Sequence, residues 1–205
     1  MNEEVYKLAL VKHYSQINPL CITLEMPFLA GQRRADAVVV EDQLVHGIEI
    51  KSDRDKLDNL LSQASDYLRV FDFVWLLVSK NHLKNARRSL PNSVGLLVLE
   101  EGALKIKRKA KQIKRLDKRA ISLSLDRSTL SALLGEIEIS HHRSNGFDLL
   151  AKRLSDKANI SMLRIGFRSQ ILRKYEEGYI TFMRETGQTI HYEDLLNLGP
   201  HRMIR

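Results

Sequence analysis

Two carboxylates and a lysine stand out for their spacing: Asp36, in Arg34-Ala35-Asp36, and Glu49 and Lys51, in Gly47-Ile48-Glu49-Ile50-Lys51. Residues 35–40 and 44–51 are rich in β-branched and other strand-forming side chains. The polar interruption Glu41-Asp42-Gln43 between them is short enough for a hairpin. With a two-residue turn at Asp42 and Gln43, Glu41 faces Leu44 and Asp36 faces Glu49. A four-residue loop of 41–44 keeps that register, whereas a three-residue loop puts the two acids on opposite faces. Opposed β-carbons lie about 4.5–5.5 Å apart, and like charges there repel, so the pattern calls for a cation between them. Two such carboxylates can hold Mg²⁺, which takes oxygen ligands, with Mn²⁺ as a substitute. An ion of this kind can activate water and offset charge on a phosphoryl oxygen. Lys51 lies two residues past Glu49 and shares its face of the strand. There it can orient or deprotonate the water, or support the developing phosphate charge.

Other residues could complete such a centre. Glu25, before Met26-Pro27-Phe28, could supply a third carboxylate beside Asp36, and Glu3 and Glu4 on the first helix compete for that role. Gln63 and Tyr67 are four apart on one helix face, where they can orient Glu49, Lys51 or a phosphate. Arg33 and Arg34 flank Asp36 and could contact a phosphate or form a simple salt bridge. The histidines are scattered without metal-ligand spacing. His46 shares the face of Ile48 and Ile50 and is read as structural.

Asp36 followed by Glu49-Ile50-Lys51 resembles the PD-(D/E)XK motif of the restriction-endonuclease-like nuclease superfamily, with Ala35 in place of the usual proline. Gln63-Ala64-Ser65-Asp66-Tyr67 resembles the QxxxY element of RecB-like members. The run from residue 25 to 79 is most similar to a group of small, largely uncharacterised bacterial members. Its Glu49-Ile50-Lys51-Ser52 and Tyr67-Leu68-Arg69-Val70-Phe71-Asp72 match elements that recur there. The resemblance covers the first half well and the second loosely. It implies an α/β fold with an αβββαβ core and Mg²⁺-dependent hydrolysis of DNA phosphodiester bonds. Asp36, Glu49 and Glu25 would be metal ligands, and Lys51 would position or activate water. RNA is the weaker alternative substrate. A catalytically silent nucleic-acid-binding or partner-docking module is the alternative from another class.

The elements needed to position these residues are legible in outline. Residues 3–14 carry apolar positions at helical spacing, and residues 21–28 read as a first strand. The hairpin follows, then a helix capped at Ser52 or Asp53 with Leu57, Leu60, Leu61, Ala64, Tyr67 and Leu68 on its buried stripe. Residues 73–79 form a continuous apolar run, as in a strand covered on both faces. A short helix at 81–89 and a strand at 94–99 complete the order αβββαβ then αβ. Helices are expected at 129–137, 147–154 and 160–177, punctuated by Gly135, Gly146 and Gly178, with a last short one at 190–198.

Composition bounds the rest. One cysteine, Cys21, excludes an internal disulfide framework and a cysteine zinc cage, and its apolar surroundings suit a core residue. No signal-peptide pattern or membrane-length apolar run is visible, so a cytoplasmic protein is expected. Residues 1–103 hold 12 Lys/Arg and 14 Asp/Glu, a net of −2; residues 104–205 hold 21 and 11, a net of +10. This asymmetry suggests a polyanion partner. The reading is a nuclease-like domain at 1–103, a basic connecting segment at 104–125 and a basic, mainly helical extension at 126–205. Lys107, Arg108, Lys109, Lys111, Lys114 and Arg115 are the candidate DNA contacts, with a solvated linker as the bland alternative. Arg164, Arg168, Arg173 and Lys174 on one long helix favour a DNA-gripping role. The C-terminal helices could equally dock a second copy or a protein partner.

Overall fold

A computed structural model describes residues 2–142, 144–187 and 189–199. Asp42 adopts a left-handed φ of 51°, as a tight hairpin turn requires. Strand β2 (Arg33–Glu41) therefore pairs with β3 (Leu44–Lys51) with Glu41 facing Leu44 and Ala37 facing Ile48. This is the register that sets Asp36 against Glu49. Strand β1 (Cys21–Phe28) pairs antiparallel with β2 on its other side. Beyond β3, strands β4 (Phe73–Val78) and β5 (Gly95–Glu100) run parallel to it, and β6 (Ala103–Arg108) returns antiparallel. The result is one six-stranded mixed sheet with its strands in sequence order. Gly47 and Gly95 are fixed by close approach. A β-carbon at either would run into the ring of Phe71 or Trp75 respectively.

Helix α1 (Glu3–Ser15) is capped by Asn2 and buries Tyr6, Leu10, Val11 and Tyr14. Helices α2 (Leu60–Val70) and α3 (Lys80–Ser89) make the two parallel crossovers. Both step the same way across the sheet, so they share a face. The start of α2 is later than the sequence suggests. The backbone amide and hydroxyl of Ser52 both donate to Asp55 Oδ2, at 2.8 and 2.6 Å, closing a local turn in place of a helix start.

Two elements of the basic segment escape sequence reading. Strand β6 alternates Leu104 and Ile106 with Lys105 and Lys107. That mixture reads as a linker, yet lysines are well tolerated on an edge strand. Helix α4 (Lys118–Ser124) is capped by Asp117, which accepts from the amides of Arg119 and Ala120. Between them the chain is stitched to the sheet's end. The amides of Lys111, Ile113 and Asp117 donate to the carbonyls of Ser93, Asp72 and Arg69.

Helices α5 (Arg127–Glu136), α6 (Phe147–Lys157) and α7 (Ile160–Glu185) follow, then a 3-10 turn at Glu193–Leu198. Gly178 does not end α7, which runs on for seven residues and buries Tyr179 and Phe182. The buried side chains of sheet and C-terminal helices form one continuous cluster, with Phe167 of α7 6.0 Å from Phe71. Cys21 is fully buried there, and burial pushes its thiol up to about 12. No described helix is long and apolar enough to cross a membrane.

Three arginines and a lysine of α7 have partners within the fold. Arg164 Nη2 lies 2.5 Å from the buried carboxylate of Asp72, and Arg168 donates to the carbonyl of Asp42 at 2.9 Å. Arg173 and Lys174 both ion-pair with Asp126, at 2.9 Å.

Candidate functional site

The pairing of β2 with β3 ends at Ala37 and Ile48, while β2 continues along β1 to Arg33 and β3 continues along β4 to Lys51. The sheet therefore forks, and Asp36 and Glu49 sit at the fork. Asp36 Oδ2 accepts the amide of Ile50 at 2.7 Å, so its side chain takes a donor freed where the ladder parts. A polar cleft of about 440 Å³ opens there. It is lined by Glu3, Asp36, Glu49, Lys51 and Gln63, with Arg33 and Arg34 on its wall. A larger groove of about 710 Å³ lies between α5 and α7 and includes none of these residues.

Glu49 is only 6 % exposed and is held on three sides. Gln63 Nε2 donates to Oε1 at 2.6 Å, the Tyr67 hydroxyl donates to Oε2 at 2.7 Å, and Lys51 Nζ ion-pairs with Oε1 at 2.7 Å. Burial, and then the charges of Glu49 and Asp36, raise the Tyr67 phenol well above its ordinary value, so it serves as a donor. The four-residue spacing of Gln63 and Tyr67 thus delivers both side chains to one carboxylate.

Glu25 lies across from Asp36, since the register runs from Leu24–Ala37 to Met26–Ala35 on either side of it. Its φ of 57° is left-handed, a strained backbone for a glutamate in a strand. Glu25 ion-pairs with Lys7, and with Arg34 Nε at 2.5 Å. Lys7 also pairs with Glu3 at 2.6 Å. Burial disfavours the Lys7 ammonium, but the bonds to Glu25 and Glu3 outweigh it and raise its pKa. Oxygens of Glu3, Glu25 and Asp36 all lie within 4.8 Å of one another. Glu3, from the first turn of α1, is the helix acid that joins the cluster. Glu4 instead accepts from Asn2 at 2.8 Å in an exposed position.

Among the described residues no cation is ion-paired with Asp36. Burial first, and Glu49's charge second, raise its carboxyl to about 8. Glu3, Glu25 and Asp36 thus cluster at the fork with Glu49 beside Asp36, and Lys7 and Arg34 are committed to Glu25 and Lys51 to Glu49. Such an all-oxygen set, short of positive charge at its centre, suits a hard divalent cation.

The other expected contacts divide. Arg34 is exposed beside the acids, while Arg33 is tied to Asp66 at 2.6 Å and to Ser62 at 3.0 Å on α2. Lys107, Arg108, Lys109, Lys111, Lys114 and Arg115 are not brought to the cleft. Because β6 is antiparallel to β5, its last residues lie at the sheet end opposite the fork, about 15–20 Å away by strand length. Arg108 donates to the carbonyls of Val94 and Pro91, and Lys107 pairs with Glu100, so these two already have intramolecular partners. His46 is buried, stacked 4.8 Å from Phe73, with burial lowering it to about 4. Lys7 and its link to Glu25 were not anticipated. The i,i+4 spacing of Glu3 and Lys7 was the available signal.

The family model described as Bacteriophage P4 protein cII matches residues 1–199. No curated protein matches the chain. Among solved structures, a protein of unknown function from Silicibacter pomeroyi superimposes with a TM-score of 0.43 at 18 % identity, over 68 % of this chain and 94 % of that one.

Proposed function

This chain belongs to the bacteriophage P4 protein cII family, and we propose that it is a nuclease of the restriction-endonuclease-like type that hydrolyses DNA phosphodiester bonds with Mg²⁺. The observation that carries the reading is the fork. Asp36 and Glu49 end up side by side where β2 and β3 part, with Lys51 on the same face and Gln63 and Tyr67 clamping Glu49. The αβββαβ order of the first half supports it.

Asp36, Glu25 and Glu3 are the residues that would hold the ion, with Glu49 beside Asp36. When bound, Mg²⁺ supplies an activated water and offsets charge on the phosphoryl group. The chain's own residues do the rest. Gln63 and Tyr67 fix the Glu49 carboxylate in one orientation, and Glu49 in turn fixes Lys51. The Lys51 ammonium is held at the cleft, where it can donate to a non-bridging phosphate oxygen or relay a proton from water. Arg34, 68 % exposed at the side chain, can turn from Glu25 to a phosphate.

The test is cleavage of supercoiled, linear and single-stranded DNA at millimolar Mg²⁺, with Lys51→Ala and Asp36→Asn as controls. The expected result is cutting by the wild type that requires the ion and is lost in both variants. No metal-stimulated cutting on any form overturns the reading. One observation favours the second reading, a silent nucleic-acid-binding or partner-docking module: Lys7 and Arg34 already neutralise Glu25 from within the chain.

A further inference from the structure

Positive charge is concentrated on one edge of the molecule. Residues 80–119 contain 13 Lys/Arg and 3 Asp/Glu, a net of +10 in a chain whose total is +8. On α3 the outward positions Lys80, Lys84, Arg87 and Arg88 fall at i, i+4, i+7 and i+8, one helical face, while Ala86 is buried and Leu83 packs on the core. All four are exposed, and among the described residues none forms an ion pair. The stripe starts beside the cleft, since the amide of Ser79 donates to the carbonyl of Lys51 at 3.0 Å. It runs about 12 Å to Arg88. There it meets the end of β6, where Arg87 donates to the carbonyl of Lys107 at 2.8 Å. Lys109, Lys111, Lys114 and Arg115 continue it, exposed and without ion pairs among the described residues.

Lysines on β6 alone would be explained by protection of an open sheet edge. That explanation covers Lys105 and Lys107. It does not reach α3, or the residues after the strand that are stitched by their backbone to Ser93 and Asp72. Many basic side chains elsewhere are held by carboxylates, among them Lys7, Arg33, Lys51, Arg69, Arg119 and Arg173. An unpaired basic track on ordered elements fits an external polyanion of regular charge spacing.

We propose that the outer face of α3 and the segment following β6 form a phosphate-backbone binding track for duplex DNA. The track begins at the mouth of the cleft and acts without metal. It carries most of the affinity, whereas the fork contributes little to binding, because its acids repel phosphate. The proposal stands whether or not the fork cuts.

The experiment measures binding of a duplex of about 20 base pairs in EDTA across a salt series. The test variant is Lys84→Gln, Arg88→Gln, Lys109→Gln and Lys111→Gln, four side chains with no partner among the described residues. A control variant carries Lys12→Gln, Lys152→Gln, Lys157→Gln and Arg184→Gln, the same charge change at exposed positions elsewhere. Thermal melting of both verifies folding, and the α3 pair and the segment pair are also measured separately. The expected result is at least about tenfold weaker binding, with a log–log salt slope smaller by about 3–4, for the test variant alone. Each pair should give about half that change in slope. Equal losses in test and control variants, or no loss in the test variant, overturn the track. So does a wild type that binds phosphatidylserine vesicles but not duplex. Failure of cleavage with the track intact refutes only the nuclease reading.

Discussion

Replacing Asp36 by asparagine removes a buried cleft carboxylate that has no ion-paired cation among the described residues, and this changes how stability depends on pH. The folded carboxyl is raised from 3.8 to about 8, by burial and then by Glu49. Between those values the folded chain keeps a proton that the unfolded chain has lost, so each rise in pH favours unfolding. From pH 7 to 9, a folded pKa of about 8 gives a loss of about 1.4 kcal/mol. For a chain of this size that is about 3–6 °C in Tm. His46 acts in the opposite sense. Its folded pKa, lowered to about 4 by burial, makes stability rise with pH only up to its unfolded value of 6.5, and its contribution is flat above. Cys21, whose thiol burial raises to about 12, adds a smaller loss of the same sign near pH 9. It is present in wild type and variant alike, so the difference between the two over pH 7 to 9 isolates Asp36. Urea unfolding in EDTA at pH 7, 8 and 9 should show the wild type weakening by that amount more than Asp36→Asn, which keeps only the smaller Cys21 slope. Saturating Mg²⁺ should flatten the wild-type slope, because the ion favours ionised Asp36. A wild type with no slope, or a variant with the same slope, refutes the account of Asp36 as an uncompensated carboxyl.

Tyr67→Phe keeps the ring in the core but frees one oxygen of Glu49. Turnover on DNA should fall about 10–100-fold with KM little changed, and an unchanged rate would show that the clamp has no catalytic role. Lys7→Met should release Glu25 and tighten Mg²⁺ binding about tenfold in calorimetric titration without DNA; weaker binding would mean that Lys7 builds the site and does not compete for it. Arg164→Met leaves Asp72 buried and unpaired, and should cost about 2–4 kcal/mol in urea unfolding at pH 7. That cost should shrink toward acid pH, where Asp72, already raised by burial, becomes neutral; a deficit independent of pH would point to lost packing.

The hairpin and its two acids were legible because their placement depends on local rules. Side chains alternate with a period of two, and a polar interruption of three residues leaves few turn lengths. Once Asp42 supplies the left-handed turn, every partner along β2 and β3 follows. The Gln63–Tyr67 face was legible for the same reason, as four residues make about one helical turn. The membership of Glu3 in the acid cluster was not fixed by such a rule. It depends on where α1 docks against the sheet, a contact between elements that spacing alone does not encode.

Charge misled where it was read as a property of a segment and not of a surface. The arginines of α7 looked like a grip, yet the fold turns Arg164 onto Asp72 and Arg173 onto Asp126, partners 92 and 47 residues away. The run after residue 104 looked like a linker, yet its alternation of Leu104 with lysines is what an edge strand can tolerate. A basic residue in a sequence becomes a candidate contact only when tertiary structure has left it unpaired. By that criterion Arg108 drops out, because it is turned inward onto the carbonyls of Val94 and Pro91, while Arg88, drawn from a helix that attracted no attention, comes in. The same criterion separates the two arginines at the cleft. Arg33 is held between Asp66 and Ser62 and shapes the wall, whereas Arg34 gives up only an exposed pairing with Glu25 when it turns to a phosphate. An exposed ion pair is worth at most about 1 kcal/mol, so a phosphate at the fork can outcompete Glu25 for Arg34. Among the described partners of Glu25, that leaves Lys7 as the one cation that a divalent ion must then displace.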